Sequence, residues 1–152
     1  MSRGLSSAVG VVLLVGVTVL GAAAVGAVAT ADLGGVPPTA RLSVSADAGA
    51  DRVALTHEGG DTLDVTDLSV TVSVDGRRLD RQPPVPFFAA RGFESGPTGP
   101  FNVASDHDWT AGETAAVRLA STNDPLLEPG ARVEVTVAAD GAVVTTAETT
   151  AD

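Results

Sequence analysis

Leu5 to Ala31 is a run of 27 residues without one charged side chain, and nothing else in the chain constrains its fold as much. The run holds 12 Leu and Val, 7 Ala, 4 Gly and 4 Ser or Thr. A helix needs about 20 apolar residues to cross the hydrocarbon of a bilayer. At roughly −0.3 to −0.6 kcal/mol for each central Leu or Val, insertion is favoured by about 4–7 kcal/mol, less what Gly, Ser and Thr take back. The expectation is an α-helix, first a membrane span and then the core of an assembly. Such a helix is roughly 40 Å long. Thr18, Ala22, Gly26 and Ala29 would share one of its faces, and small residues on one face let helix backbones approach closely where lipid supplies no hydrophobic drive.

Two other readings of the same run are weaker. A secretory signal has an apolar stretch of about 7–15 residues before a small-x-small cleavage site. Ala27-Val28-Ala29 would serve as that site, but the stretch here is too long. A plain uncleaved anchor is the other reading. Arg3 is the only charged side chain before the run, and cytoplasmic flanks carry the positive charge. The N-terminus is then expected in the cytoplasm and the remainder outside.

That remainder is a different material. Beyond residue 31 there are 8 Arg, no Lys and all 19 Asp and Glu, so its charge is 8 − 19 = −11. About 120 residues suffice for one small domain with its own core. Such acidity argues against nucleic acid as a partner. A lysine-free acidic surface suits concentrated salt, where the Debye length falls to about 3 Å at 1 M. Cysteine is absent, which removes disulfides and thiolate metal sites.

Asp32-Leu33-Gly34-Gly35-Val36-Pro37-Pro38 ends any helix and makes a short hinge over 32–38. From residue 39 the apolar period becomes two. Leu42 and Val44, Val53 and Leu55, Val117 and Leu119, and Val133, Val135 and Val137 each alternate with other residues. Leu68, Val70, Val72 and Val74 make the clearest strand. Asp75-Gly76 and Asp140-Gly141 predict two-residue hairpin turns. The second would pair 132–139 with 142–147. Glu58-Gly59-Gly60-Asp61 is read as a third turn. The fold expected for 39–152 is an antiparallel sandwich or open barrel.

Between strands lies a long irregular stretch, 81–113, which contains every aromatic of the chain: Phe87, Phe88, Phe93, Phe101 and Trp109. These either cap a core poor in large side chains or form a contact surface, since exposed aromatics mark interfaces. The chain has two histidines. His57 precedes Gly59-Gly60, where bonding to the turn backbone is the simplest role, and His107 stands in Asp106-His107-Asp108, read as solvated surface rather than a metal site. No nucleophile elbow, phosphate loop or zinc spacing is present. No enzyme, cofactor or metal is expected.

The stretch from Arg3-Gly4-Leu5-Ser6-Ser7 through Val9-Gly10 into the Thr18-interrupted apolar run resembles the N-terminus of archaeal type IV pilins, notably those of halophiles. Ser7 stands where that family usually has proline. Val53-Ala54-Leu55-Thr56-His57-Glu58-Gly59-Gly60-Asp61-Thr62-Leu63 is similar to a segment of the family's globular part, and Trp109-Thr110-Ala111-Gly112-Glu113 to a later one. The resemblance implies a leader of residues 1–4, cut between Gly4 and Leu5 by a prepilin peptidase that reads Arg3. It also implies other pilin subunits, an assembly ATPase and a membrane platform as partners. Filaments for surface adhesion and biofilm formation are the expected function, the subunit moving from the cell membrane to an extracellular pilus. The alternative is a single-pass surface protein that never polymerises and binds through 81–113.

Overall fold

The computed structural model describes residues 35–152. By its contacts the chain divides into 1–36 and 37–152. The second unit holds nine strands: β1 (Ala40–Asp47), β2 (Arg52–Gly60), β3 (Leu63–Asp64), β4 (Leu68–Val74), β5 (Arg77–Arg78), β6 (Asp108–Trp109), β7 (Thr114–Arg118), β8 (Arg132–Ala139) and β9 (Ala142–Thr150). One sheet has the order β1-β2-β7 and another β5-β4-β8-β9, while β3 and β6 make a two-stranded ribbon.

The expected fold class, a transmembrane helix followed by a β domain, is corrected for the described residues, which are all β and contain no such helix. Among the described residues helical geometry is confined to two three-residue 3₁₀ turns, Val65–Asp67 and Gly99–Phe101. No helix among them is long and apolar enough to cross a membrane. The reason lies in the pattern. Apolar residues from 40 onward recur with period two, which puts a continuous apolar face on a strand and not on a helix. The helix expected over 5–31, its small-residue face at Thr18, Ala22, Gly26 and Ala29, and the cleavage site at Gly4-Leu5 lie outside the described residues.

The inner face of the larger sheet is built from facing valines. Val70, Val72 and Val74 of β4 stand opposite Val137, Val135 and Val133 of β8, and all six are buried. On the outer face Ser69, Thr71 and Ser73 meet Ala138, Thr136 and Glu134. A one-residue slip would exchange the two sets, so the valines lock the register. From the smaller sheet Leu42, Val53, Leu55, Ala115 and Val117 enter the same core.

Both Asp-Gly turns form with the backbone that such hairpins require. Asp75 and Gly76 have φ of 50° and 78°, and Asp140 and Gly141 have 48° and 84°. The β8–β9 hairpin pairs Arg132 with Thr150, three residues beyond the expected end at 147. Gly59 and Gly60, read as turn residues, still belong to β2, and Ala40 and Arg41 pair with them. The chain reverses after them, before β3.

The other edge of β4 is closed by a side chain. Beyond the two residues of β5, Gln82 accepts from the Val72 amide at 2.7 Å and donates to the Val72 carbonyl at 3.0 Å. Its amide thus stands in for a strand backbone. The edge of β7 is covered by the long connection, through bridges of Phe93 to Leu119 and Thr98 to Ala116. Sheet edges left open invite pairing with other chains.

Candidate functional site

The two globular segments singled out in the sequence, 53–63 and 109–113, meet in space. The His57 ring lies 5.9 Å from that of Trp109 at 78°, and Trp109 lies 5.3 Å from Phe101 at 70°. Both are edge-to-face arrangements, which place a positive ring edge on a negative face. All three side chains are fully buried. His57 Nε2 lies 2.8 Å from the Asp61 carbonyl. A carbonyl only accepts, so Nε2 is the donor in this bond. Nδ1 is buried without a partner.

Glu113 ties this nucleus to β7. Its backbone carbonyl accepts from the His57 amide at 2.9 Å and from the Trp109 indole at 3.0 Å. Its carboxylate accepts from the Thr110 amide at 2.7 Å and the Thr110 hydroxyl at 3.0 Å. The turn Trp-Thr-Ala-Gly-Glu is therefore closed by its own last residue, and Gly112 supplies the positive φ of 92°. Gly112 N–H completes the loop with a bond to the His57 carbonyl at 2.7 Å.

Asp61 faces the other way and grips the start of the domain. Its amide donates to the Thr39 carbonyl at 2.8 Å, and its carboxylate accepts from the Thr39 amide at 2.9 Å. Gly60 makes room for this grip. A Cβ there would sit 2.4 Å from the Thr39 oxygen and 2.9 Å from Ala40 Cα, at a φ of 105°. At Gly59 a Cβ would meet only the end of the Arg41 side chain, at 3.3 Å. The motif is thus a backbone clamp on the residue that follows Pro37-Pro38.

Asp64, at the end of β3, holds the following 3₁₀ turn. Its Oδ1 accepts from the Thr66 hydroxyl at 2.6 Å and the Thr66 amide at 2.9 Å. Those bonds, the hydroxyl first, hold its carboxyl below the ordinary aspartate value.

The aromatics of the long connection divide sharply. Phe87, Phe93, Phe101 and Trp109 are buried, and Phe88 is 58% exposed. Phe87 packs on Phe93 with ring centroids 5.7 Å apart. His107 and its neighbours stay at the surface: Asp108 donates its amide to Asp106 Oδ1 at 3.0 Å. Among the described residues no group of three or more His, Cys, Asp or Glu side chains is placed to hold a metal ion.

Sequence reasoning passed over Asn123, which is 3% exposed. Its amide donates to the carbonyls of Arg81 at 3.0 Å and Gly92 at 3.1 Å. Its Oδ1 accepts from the amides of Arg81 and Asp124. The long connection is therefore pinned at its first residue and again at Gly92. A Cβ on Gly92 would come within 2.9 Å of the Asn123 nitrogen, so the Gly and the Asn are one device. An Asn-Asp-Pro triplet reads locally as turn chemistry, and nothing nearby in sequence points to its distant partners.

No family model matches the chain. An uncharacterized protein of Archaeoglobus fulgidus is 31% identical to it over 133 residues, covering 83% of this chain and 79% of that protein. The chain belongs to the same family as that archaeal protein. Coverage of 83% of 152 residues is about 126 residues, against the 118 from 35 to 152. The likeness must therefore take in some of the first 34 residues as well as the β domain.

Proposed function

We propose that this protein is a pilin or pilin-like subunit of an archaeal surface filament, with its acidic β domain turned to the medium. One observation carries the reading. His57, Gly59, Gly60 and Asp61, and the Trp109–Glu113 turn, are the globular segments that resemble the archaeal type IV pilins, and they form one connected nucleus rather than two unrelated patches. That nucleus grips Thr39 directly after the hinge. A subunit whose apolar segment is packed among its sisters needs a rigid start to the domain outside, and the clamp supplies one. An archaeal relative whose likeness reaches into the first 34 residues agrees with a shared N-terminal segment.

In this reading the apolar run 5–31 holds the subunit at the cell membrane before assembly and holds sister subunits afterwards. A prepilin peptidase cuts between Gly4 and Leu5, and an assembly ATPase with its platform drives export. Surface adhesion and biofilm formation are the outcomes. Two measurements on the native protein test it. Sequencing of the mature N-terminus should begin at Leu5, and sheared surface filaments should contain the chain. A mature protein that begins at Met1 or Ser2, with no filament, gives the role to a surface protein that stays monomeric.

A further inference from the structure

We propose that the β domain is a tension-bearing link, loaded through β1 and through the end of β9 so that two long ladders resist in shear. Load that enters from the hinge reaches Thr39, where the Asp61 amide and carboxylate hold both backbone groups at 2.8 and 2.9 Å. From there β1 runs along β2 in eight antiparallel pairs, Ala40 with Gly60 through Asp47 with Arg52. At the far end of β1 the Asp152 amide donates to the Ala46 carbonyl, and the Asp152 carbonyl accepts from the Ala48 amide, both at 3.1 Å. One residue bonded to both neighbours of Asp47 is the pattern of a parallel pairing. β9 therefore runs in the same direction as β1.

The consequence is geometric. Thr39 and Asp152 lie at opposite ends of β1, roughly 26 Å apart along the strand at 3.3 Å per residue. Tension between them pulls β1 and β9 along their own axes in opposite directions. The eight β1–β2 pairs then share the load, as do the β8–β9 pairs from Arg132–Thr150 to Ala139–Ala142. Ala151, bonded on its other side to Gly130 at 2.9 Å and Ala131 at 2.8 Å, extends the second ladder. Bonds loaded side by side must fail together. The same strands pulled from adjacent ends, at 37 and 62, would unzip pair by pair.

This inference does not need the filament reading, because it concerns the domain by itself. The chain has no cysteine, so Pro37→Cys with Asp152→Cys, and Pro37→Cys with Thr62→Cys, give two unique sets of handles on the full chain in mild detergent. All three positions are exposed, and Trp109 emission verifies that each variant is folded. Force spectroscopy at one loading rate should show the 37–152 pair rupturing at no less than twice the force of the 37–62 pair. The release should come in a single step of about 370 Å, from roughly 3.4 Å for each of the residues freed. Equal forces, or release of β1 alone at low force before the rest, would overturn the proposal. A weak domain would leave the filament reading untouched, since that is decided by the mature N-terminus.

Discussion

Replacing Gly60 with alanine isolates the clamp from every other feature of the site. The added methyl would meet the Thr39 carbonyl oxygen at 2.4 Å and Ala40 Cα at 2.9 Å, both backbone atoms. Neither yields as a flexible side chain does. A non-glycine residue held at a φ of 105° also carries strain of about 1–3 kcal/mol. If β1 moves away to relieve the contact, the two Asp61–Thr39 bonds lengthen, at roughly 0.5–1.5 kcal/mol each for partly exposed groups. The sum is a loss of about 2–6 kcal/mol. Gly59→Ala is the comparison, because its methyl meets only the movable end of the Arg41 side chain, at 3.3 Å, and disturbs neither Asp61–Thr39 bond, although its φ of 158° still lies where L side chains are rare. It should cost that backbone strain alone, about 1–3 kcal/mol, and less than Gly60→Ala. Urea unfolding followed by the single, fully buried Trp109 reports both. Gly60→Ala within 1 kcal/mol of the parent, or Gly59→Ala as damaging as Gly60→Ala, would refute the clamp.

Asn123→Ala removes four hydrogen bonds from a buried position and should cost about 2–4 kcal/mol in the same assay, with proteolysis appearing first within 81–113. Phe101→Ala should lose about 3–5 kcal/mol, whereas Phe88→Ala, at the surface, should stay within about 0.5 kcal/mol; equal losses would contradict the division seen among these aromatics. Asp64 has a lowered carboxyl pKa in the folded state, so its contribution is present above the unfolded value and is lost as pH falls through the folded one. Asp64→Asn keeps the acceptor for Thr66 without the titration, so stability should fall less between about pH 4 and pH 2 than in the parent; parallel acid limbs would exclude Asp64 from that loss. With 8 Arg against 19 acidic residues beyond residue 31, the melting temperature should rise as NaCl goes from 0.1 to 3 M, and a flat series would speak against a salt-adapted surface.

Much of the β architecture could be read from short-range rules. Val70, Val72 and Val74 alternate with Ser and Thr, and a strand has no other way to hide them, so their inward direction follows from pleat geometry alone. The same holds for Val133, Val135 and Val137. Asp75-Gly76 and Asp140-Gly141 state their own backbone conformation, and each joins strands only two residues apart. The role of Gly60 could not be read this way. It depends on Thr39, 21 residues earlier, passing over it. Nor does local sequence separate Phe88, exposed, from Phe87, buried, because irregular backbone has no period to sort them.

The order of residues by itself determined where the long strands run, which of their faces is apolar, the two tight hairpins and the strongly acidic composition, since each depends on neighbours within a few positions. Tertiary structure alone decided that His57 would meet Trp109, that Asp61 would grip Thr39, that Asn123 would pin the long connection, and that Asp152 would lie beside β1. Those contacts join residues 22 to 106 positions apart. A closed loop of that length has a small, slowly varying entropy cost, so local composition leaves such partners open until the packed core chooses them.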